Sequence, residues 1–470
     1  MTYPLSFDQS LLEPYSTLDF RFGDRRVDRR ANSMFNIMTK RSGKSLPEIF
    51  CSGADLRGAY RFLGNDLVTP EKILRPHILE TIKRCKQQNL VAVLQDSSDL
   101  DYDYMQCLEG FESLHINVDK GFRIHPLLAI NEKGTPLGVL ASFNYTRAEN
   151  DTSKKHRNSL PIEKKESYRW LLGYREACKL AKECSAATIV SISDREGDIY
   201  ECLTEAQNPD ISNRAHILVR SNHNRSLYES SDETNDKLEK KLIRSPVIYE
   251  ETLLLNRYRK NERTANIKIR ASKVLLQAPN TCKKKSLSPI EINAVLVSEV
   301  DPPVGEEPLH WLLLTTLPIN TEEEICRIVS LYSRRWSIEI FFKVLKSGCK
   351  IDSPHLQTTS RIENFIALAM IVAWKVMLVT YLPRDFPDAP CTVMLTDIEW
   401  KLAYRGAYNK KRPLPEKIPT LKEALMLVAM LGGYQKRKDP PGIQTVWKGI
   451  VRLMDMVYGY ELTRELLLDQ

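Results

Sequence analysis

Two short apolar runs, each closed by an aspartate, restrict most tightly what this chain can fold into. The first is Leu90-Val91-Ala92-Val93-Leu94-Gln95, followed by Asp96. The second is Ala187-Thr188-Ile189-Val190-Ser191-Ile192-Ser193, followed by Asp194. Short unbroken apolar runs of this kind are strands buried on both faces, the pattern of a sheet covered by helices. Helical segments are at hand to cover it. Pro70 opens one that continues toward Cys85, and residues 165–183 are amphipathic, with Trp170, Leu171, Tyr174, Ala177 and Leu180 inward. Either aspartate alone reads most simply as a helix N-cap or a loop acid. Two in matching context can stand together at one rim of a sheet, where carboxylates make an oxygen-ligand site for a hard cation.

A third carboxylate lies in an unusual helical stretch. Tyr332, Arg335, Glu339, Lys343 and Lys346 follow one another at steps of three, four, four and three. On a single α-helix they share a stripe roughly 80° wide. Ile338, Ile340, Phe341, Phe342, Val344 and Leu345 fill much of the remaining surface, so the helix is expected to be buried apart from that stripe. The plain alternative is a partly exposed helix with a Glu–Lys pair four apart.

Length and composition set the outer bounds. At 470 residues with 42% apolar content, the chain has room for two or three domains with cores of their own. The net charge of +8 suits a polyanionic partner without identifying one. The ten cysteines form no C-x-x-C and no His-x-x-x-His occurs, which argues against a zinc site or a disulfide framework and fits a cytosolic protein. The N-terminus has neither a basic nor an apolar leader pattern. The most apolar run, Phe365 onward to Trp374, meets Lys375 before it could span a bilayer, and reads as a core helix.

Taken in order, the chain begins with a basic helical module. Asp24 is placed to cap a helix that Gly43 would stop, with Val27, Ala31, Met34 and Met38 as its apolar stripe. Arg25, Arg26, Arg29 and Arg30 crowd its first turns, against the helix dipole, and a phosphate backbone would reward them. A second helix is expected around 54–64. Strands are expected at 122–131 and 137–144, joined through Gly134-Thr135-Pro136, and a polar loop over 147–159. After a strand at 216–221, the stretches 266–271, 291–297 and 311–316 alternate with period two. They read as an antiparallel β insertion with basic clusters at 257–260 and 283–285. The remainder is helical and closes with 445–468, with Trp447, Ile450, Leu453 and Val457 inward.

These residues together resemble the DDE transposases of the insertion-sequence-four family, the Tn-five type. Asp194-Arg195-Glu196-Gly197-Asp198-Ile199-Tyr200 is similar to that family's D-R-E-x-D-I-Y block. Tyr332, Arg335, Glu339 and Lys346 match its Y-x2-R-x3-E-x6-K signature, and Gln95-Asp96-Ser97-Ser98 its first-aspartate block. The likeness extends through Gly23-Asp24 with Arg26 and Arg30, Ser42-Gly43-Lys44-Ser45, Gly58-Ala59-Tyr60-Arg61-Phe62 and Leu431-Gly432-Gly433-Tyr434, and so covers nearly the whole chain.

The resemblance implies an α/β fold. Its centre would be an RNase H-like catalytic core over about 71–370, interrupted by the antiparallel β insertion at about 225–318. An N-terminal helical domain over 1–70 would bind transposon ends, and a C-terminal helical region over 371–470 would dimerise. It also implies a nucleoid-associated prokaryotic enzyme that performs cut-and-paste transposition of an insertion sequence. Such an enzyme binds double-stranded DNA at terminal inverted repeats, pairs two ends as a homodimer, cleaves, and joins the 3′-OH to target DNA. A hairpin at the excised end is expected on the same ground.

In the chemistry so implied, Asp96, Asp194 and Glu339 are the catalytic carboxylates and the ligands of two Mg²⁺ ions, for which Mn²⁺ can substitute. Asp96 would bridge ions about 4 Å apart, serving the attacking and leaving oxygens, and carboxylates suit these hard cations. Tyr332, Arg335, Lys343 and Lys346 would contact DNA, with the cations assigned to the phosphate backbone rather than to a pair with Glu339. Trp311 would receive a flipped base, with Arg220 nearby, since stacking on an indole repays part of the cost of extrusion. Arg26 and Arg30 would contact the transposon end. Val27 stands where a family member has arginine, so end-sequence preference should differ. Two other readings use the same residues: a catalytically silent DNA-binding regulator or inhibitor, and an RNase H-like nuclease that cuts without end pairing.

Overall fold

The computed structural model of the chain describes residues 18–41, 43–50, 52–105, 120–145, 160–208, 213–228, 237–255, 263–279, 287–409, 412–435 and 440–468. The loop expected over 147–159 and the basic clusters at 257–260 and 283–285 lie outside these residues.

Four helices come first: α1 (Arg25–Lys40), α2 (Leu46–Ile49), α3 (Gly53–Leu63) and α4 (Pro70–Lys86). Asp24 caps α1 as expected, its side chain accepting the Arg26 N–H, and the helix buries Ala31, Met34, Phe35 and Met38. The unexpected α2 is too short to show a period. Its local signal is a capping box between Ser45 and Glu48.

The centre is one ten-stranded sheet. Its members are β1 (Leu90–Gln95), β2 (Ser98–Asp101), β3 (Gly121–Asn131), β4 (Pro136–Tyr145), β5 (Thr188–Ser193), β6 (His216–Arg220), β7 (Tyr249–Leu255), β8 (Arg263–Leu276), β9 (Ile290–Val300) and β10 (His310–Thr315). Helices α5 (Tyr168–Glu183), α6 (Tyr200–Ala206) and α7 (Leu238–Arg244) interrupt it in sequence. The spatial order is β2-β3-β1-β5-β6-β10-β9-β8-β7, with β4 paired to β3. β1, β5 and β6 run parallel, and β3 runs antiparallel to β1. Every residue of β1 is buried. Leu90, Ala92 and Leu94 enter one core, while Val91 and Val93 enter the other beside Trp170 and Tyr174 of α5. This is the two-faced burial that the unbroken apolar run called for.

The expected β insertion is antiparallel throughout, but it is not a separate layer. β10 pairs with β6, Leu313 opposite Arg220, so β7 to β10 extend the central sheet. β2 and β7 were not anticipated, because Ser98–Asp101 is short and polar and β7 carries Glu250 and Glu251.

Six helices complete the chain: α8 (Glu322–Ser333), α9 (Trp336–Lys343), α10 (Thr359–Asp385), α11 (Asp397–Ala407), α12 (Leu421–Leu431) and α13 (Ile443–Leu468). α10 is long and apolar enough to cross a membrane, but 89% of its most apolar window is buried inside the fold. Lys375, expected to end the apolar run, lies within it, and burial pushes its ammonium below the usual lysine range. α10 also runs through the expected boundary at 370/371.

α12 and α13 meet backbone to backbone. A Cβ on Gly449 would stand 1.8 Å from the Val428 carbonyl oxygen, and carbonyls of a packed helix cannot retreat cheaply. Gly449→Ala is therefore expected to destabilise the protein by about 1–3 kcal/mol, read as a lower midpoint in urea unfolding.

Candidate active site

The register of the parallel strands sets the two aspartates side by side. Leu94 of β1 faces Ile192 of β5, and two further residues along each strand bring Asp96 level with Asp194. β1 and β2 both pair with β3, Gln95 opposite Leu127 and Ser98 opposite Ile124. Asp96 and Ser97 fall in the gap between them, facing Pro126 and His125. Pro126 has no N–H to give to a ladder, and the pairing lapses there. Asp194 caps the short turn Arg195–Gly197, its side chain accepting the Glu196 N–H at 2.9 Å. The N-cap reading and the rim reading of Asp194 thus hold together.

Behind the two aspartates lies a polar network that the sequence did not reveal. Burial keeps His125 neutral. Its Nε2–H then donates to Gln95 Oε1 at 3.2 Å, while Nδ1 accepts the Ser97 hydroxyl at 2.9 Å. Gln95 Nε2 donates to Ser191 Oγ at 2.9 Å, tying β1 to β5. Arg169 of α5 donates from Nε to Ser97 Oγ and from Nη2 to Glu196, each at 2.9 Å. One guanidinium therefore fixes the loops after both β1 and β5. These partners lie 72 and 27 residues from Arg169, beyond any local pattern.

The stretch carrying Glu339 is not the single helix expected. Arg334 N–H bonds to Leu331 O at 3.2 Å and Arg335 N–H to Tyr332 O at 3.0 Å, so the chain tightens into i→i−3 turns between α8 and α9. Val344–Gly348 then widens into a π-helix. The five polar residues are accordingly divided among three segments. Tyr332 lies in the last turn of α8, Glu339 in α9 and Lys346 in the π turn, with Arg335 just before α9 and Lys343 at its end.

A second expectation is corrected. Arg335 does pair with Glu339: its Nη2 lies 2.6 Å from Glu339 Oε1, while its Nη1 lies 3.1 Å from Asp96 Oδ2. One guanidinium bridges two of the three carboxylates, because desolvated carboxylates need a countercharge. Burial raises the Glu339 carboxyl above its ordinary range, with Arg335 opposing.

The other named residues divide. Trp311 on β10 meets Tyr332 edge to face at 5.1 Å between ring centres. Arg220, ending β6, donates to His310 O at 2.7 Å. Burial raises the Tyr332 phenol, and the charges of Arg335 and Arg220 work against this. Tyr332, Trp311, Arg220 and Arg335 thus gather beside the carboxylates. Lys346 points its ammonium at Asp99 O at 2.8 Å, and burial lowers it from the usual lysine value. Lys343 ends α9, one turn past Glu339. Arg26 pairs with Asp24, and Arg30 pairs with Asp55 and lies against Gly58, on the helical module formed by α1 and α3.

Among the described residues, no three His, Cys, Asp or Glu side chains lie close enough to hold a metal ion. The donor set nevertheless fits a divalent cation. It is all carboxylate oxygen, and a cationic group already stands between Asp96 and Glu339.

The same crowding has a measurable consequence. Burial first, and then the charge of Asp194, push the Asp96 carboxyl from 3.8 up to about 6, with Arg335 and the Ser97 N–H opposing. The folded value lies above the unfolded one, so the folded state binds this proton more readily. The ionised group therefore costs nothing below about pH 4, and its cost grows until about pH 6 is passed. Asp96→Asn is expected to stabilise the protein, free of DNA and divalent ions, by on the order of 2–3 kcal/mol at pH 8. The gain should vanish near pH 4, which urea titrations at the two pH values will read.

Three transposase family models match the chain. "Transposase DNA-binding" matches residues 16–68, "Transposase DDE domain" residues 146–374, and "Transposase Tn5 dimerisation domain" residues 371–466. Asp194 and Glu339 lie within the second match; Asp96 lies before it. Among solved structures, a piggyBac transposase synaptic complex with hairpin DNA is 10% identical, over 93% of this chain and 73% of that one, at a TM-score of 0.34.

Proposed function

We infer that this chain, which carries the DNA-binding, DDE and dimerisation domains of a transposase, is a cut-and-paste DNA transposase of an insertion sequence. The observation that carries the reading is the alignment of two aspartates at neighbouring strand ends, with a third carboxylate held to one of them by a shared arginine. Asp96 stands level with Asp194 across β1 and β5, and Glu339 is tied to Asp96 through Arg335. The strand order β4-β3-β1-β5-β6, with β3 antiparallel, supports an RNase H-like core. The D-R-E-x-D-I-Y block and the Tyr332-Arg335-Glu339-Lys346 signature support membership of the insertion-sequence-four group.

In this reading Asp96, Asp194 and Glu339 hold Mg²⁺, or Mn²⁺ in its place. When bound, the ions supply an activated oxygen nucleophile and relief of charge on the leaving oxygen. The protein's own side chains position the strand. Arg335 offers a forked donor to the cleaved phosphate, and Tyr332, Lys343 and Lys346 flank it. Trp311 stacks an extruded base beside Arg220. Arg26 and Arg30 hold phosphates of the terminal inverted repeat, and a second copy of the chain completes the synaptic pair. The three working units are 1–70, 71–370 and 371–470, and the place of action is the nucleoid.

The test is incubation of the purified protein with Mg²⁺, a plasmid carrying the element's two ends, and target DNA. Excision followed by joined product is expected. Cutting without joined product would indicate the nuclease alternative, and binding without cutting the silent regulator.

A further inference from the structure

We propose that Arg335 guards the metal site, holding Asp96 and Glu339 in the DNA-free protein and releasing them when a DNA phosphate claims its guanidinium. The proposal rests on the transposase reading above and concerns the order in which that site is loaded. One nitrogen of the guanidinium binds each carboxylate, at 3.1 Å to Asp96 and 2.6 Å to Glu339, and the side chain is 16% exposed. A helix-surface Arg–Glu pair alone is a weak interaction, and would not require the reach across to the end of β1. The bridge joins the two elements that any shared cation would also have to join.

Arginine keeps its proton at any working pH. The guard can therefore leave only when another cation replaces it or another anion takes it. Phosphate is an anion that a guanidinium fork matches with two parallel hydrogen bonds. Arg335 also sits at the junction of two helices. Its N–H bonds to Tyr332 O in the i→i−3 turn between α8 and α9, and its carbonyl accepts the Ile338 N–H at the start of α9. Tyr332 and Arg220 lie next to it.

Divalent ion and DNA each weaken the same bridge, so each must favour the other's binding by an equal factor. The DNA-free protein then loads ions poorly and stays silent until an end is docked.

The experiment is a Mn²⁺ titration of the full-length protein, followed by electron paramagnetic resonance of the free ion. It is run without DNA and with a duplex carrying the element's own end, and binding by the duplex alone is subtracted. Wild-type affinity is expected to rise at least about tenfold with DNA. Arg335→Gln should reach the tighter affinity without DNA and gain less than about twofold from it. Arg327→Gln removes another cation of α8, one that pairs with Glu132 rather than with the bridge, and should behave like wild type. The proposal is overturned if Arg335→Gln binds Mn²⁺ no more tightly than wild type without DNA, or if Arg327→Gln tightens it as much. Should Arg335→Gln fail to fold, an unchanged wild-type affinity on adding DNA overturns it alone. If no protein binds Mn²⁺ even with DNA, the transposase reading falls as well.

Discussion

Asp194→Asn is expected to lower strand cleavage at the element's ends by at least about 10³-fold, or ~4 kcal/mol of transition-state stabilisation. Duplex binding and dimer formation should be unchanged. Asp194 is the most discriminating of the three carboxylates to change, because Arg335 bridges the other two. Its structural duty is to accept the Glu196 N–H at the start of the turn Arg195–Gly197. Asparagine caps as well as aspartate, so the turn should survive while the charge is lost. Glu339→Gln should behave similarly in cleavage, although it also loosens Arg335. Cleavage on a denaturing gel and binding by mobility shift, measured on the same preparation, separate chemistry from folding. A loss below tenfold with binding intact would remove Asp194 from the catalytic set.

Much of this site was legible because its parts are local. An apolar run announces a buried strand, and the residue after it must emerge at the rim; Asp96 and Asp194 follow from that alone. Their mutual alignment needed the register of β1 against β5, which no spacing within either strand reveals. The helix bearing Glu339 was legible as a helix but not as two. Spacings of three and four cannot report the i→i−3 turn at Arg334 and Arg335 or the π turn after Lys343. The bridge from Arg335 to Asp96 spans 239 residues, so the sequence offered only its near partner, Glu339. That partner was set aside in favour of DNA, whereas the DNA-free fold needs the charge compensated from within. The network of Gln95, Ser97, His125 and Arg169 was silent for the same reason: each residue type is unremarkable where it stands, and only the fold brings them together.

Asp198 shows that two acids in one block serve opposite ends. Asp198→Ala should cost about 3–5 kcal/mol of stability, the usual result of removing one partner of a buried ion pair. The Asp198 side chain is 0% exposed and pairs with the Arg225 guanidinium at 2.5 Å, itself 6% exposed. The same carboxylate accepts the Ser221 hydroxyl at 2.9 Å and the N–H groups of Asn222 and His223 at 2.8 and 3.3 Å. Alanine would strand a buried charge and leave those donors without an acceptor. Arg225→Met should cost less, because the carboxylate would keep the other donors. Asp198→Asn should fall between wild type and Asp198→Ala, since one acceptor oxygen remains. These donors follow β6, so Asp198 anchors the end of β6 to the loop that carries Asp194. Asp198→Ala should therefore lose cleavage together with its unfolding midpoint, whereas Asp194→Asn should lose cleavage while its midpoint holds. A cleavage-dead Asp198→Ala with a wild-type midpoint would show that the block's second aspartate acts in the chemistry rather than in holding the rim.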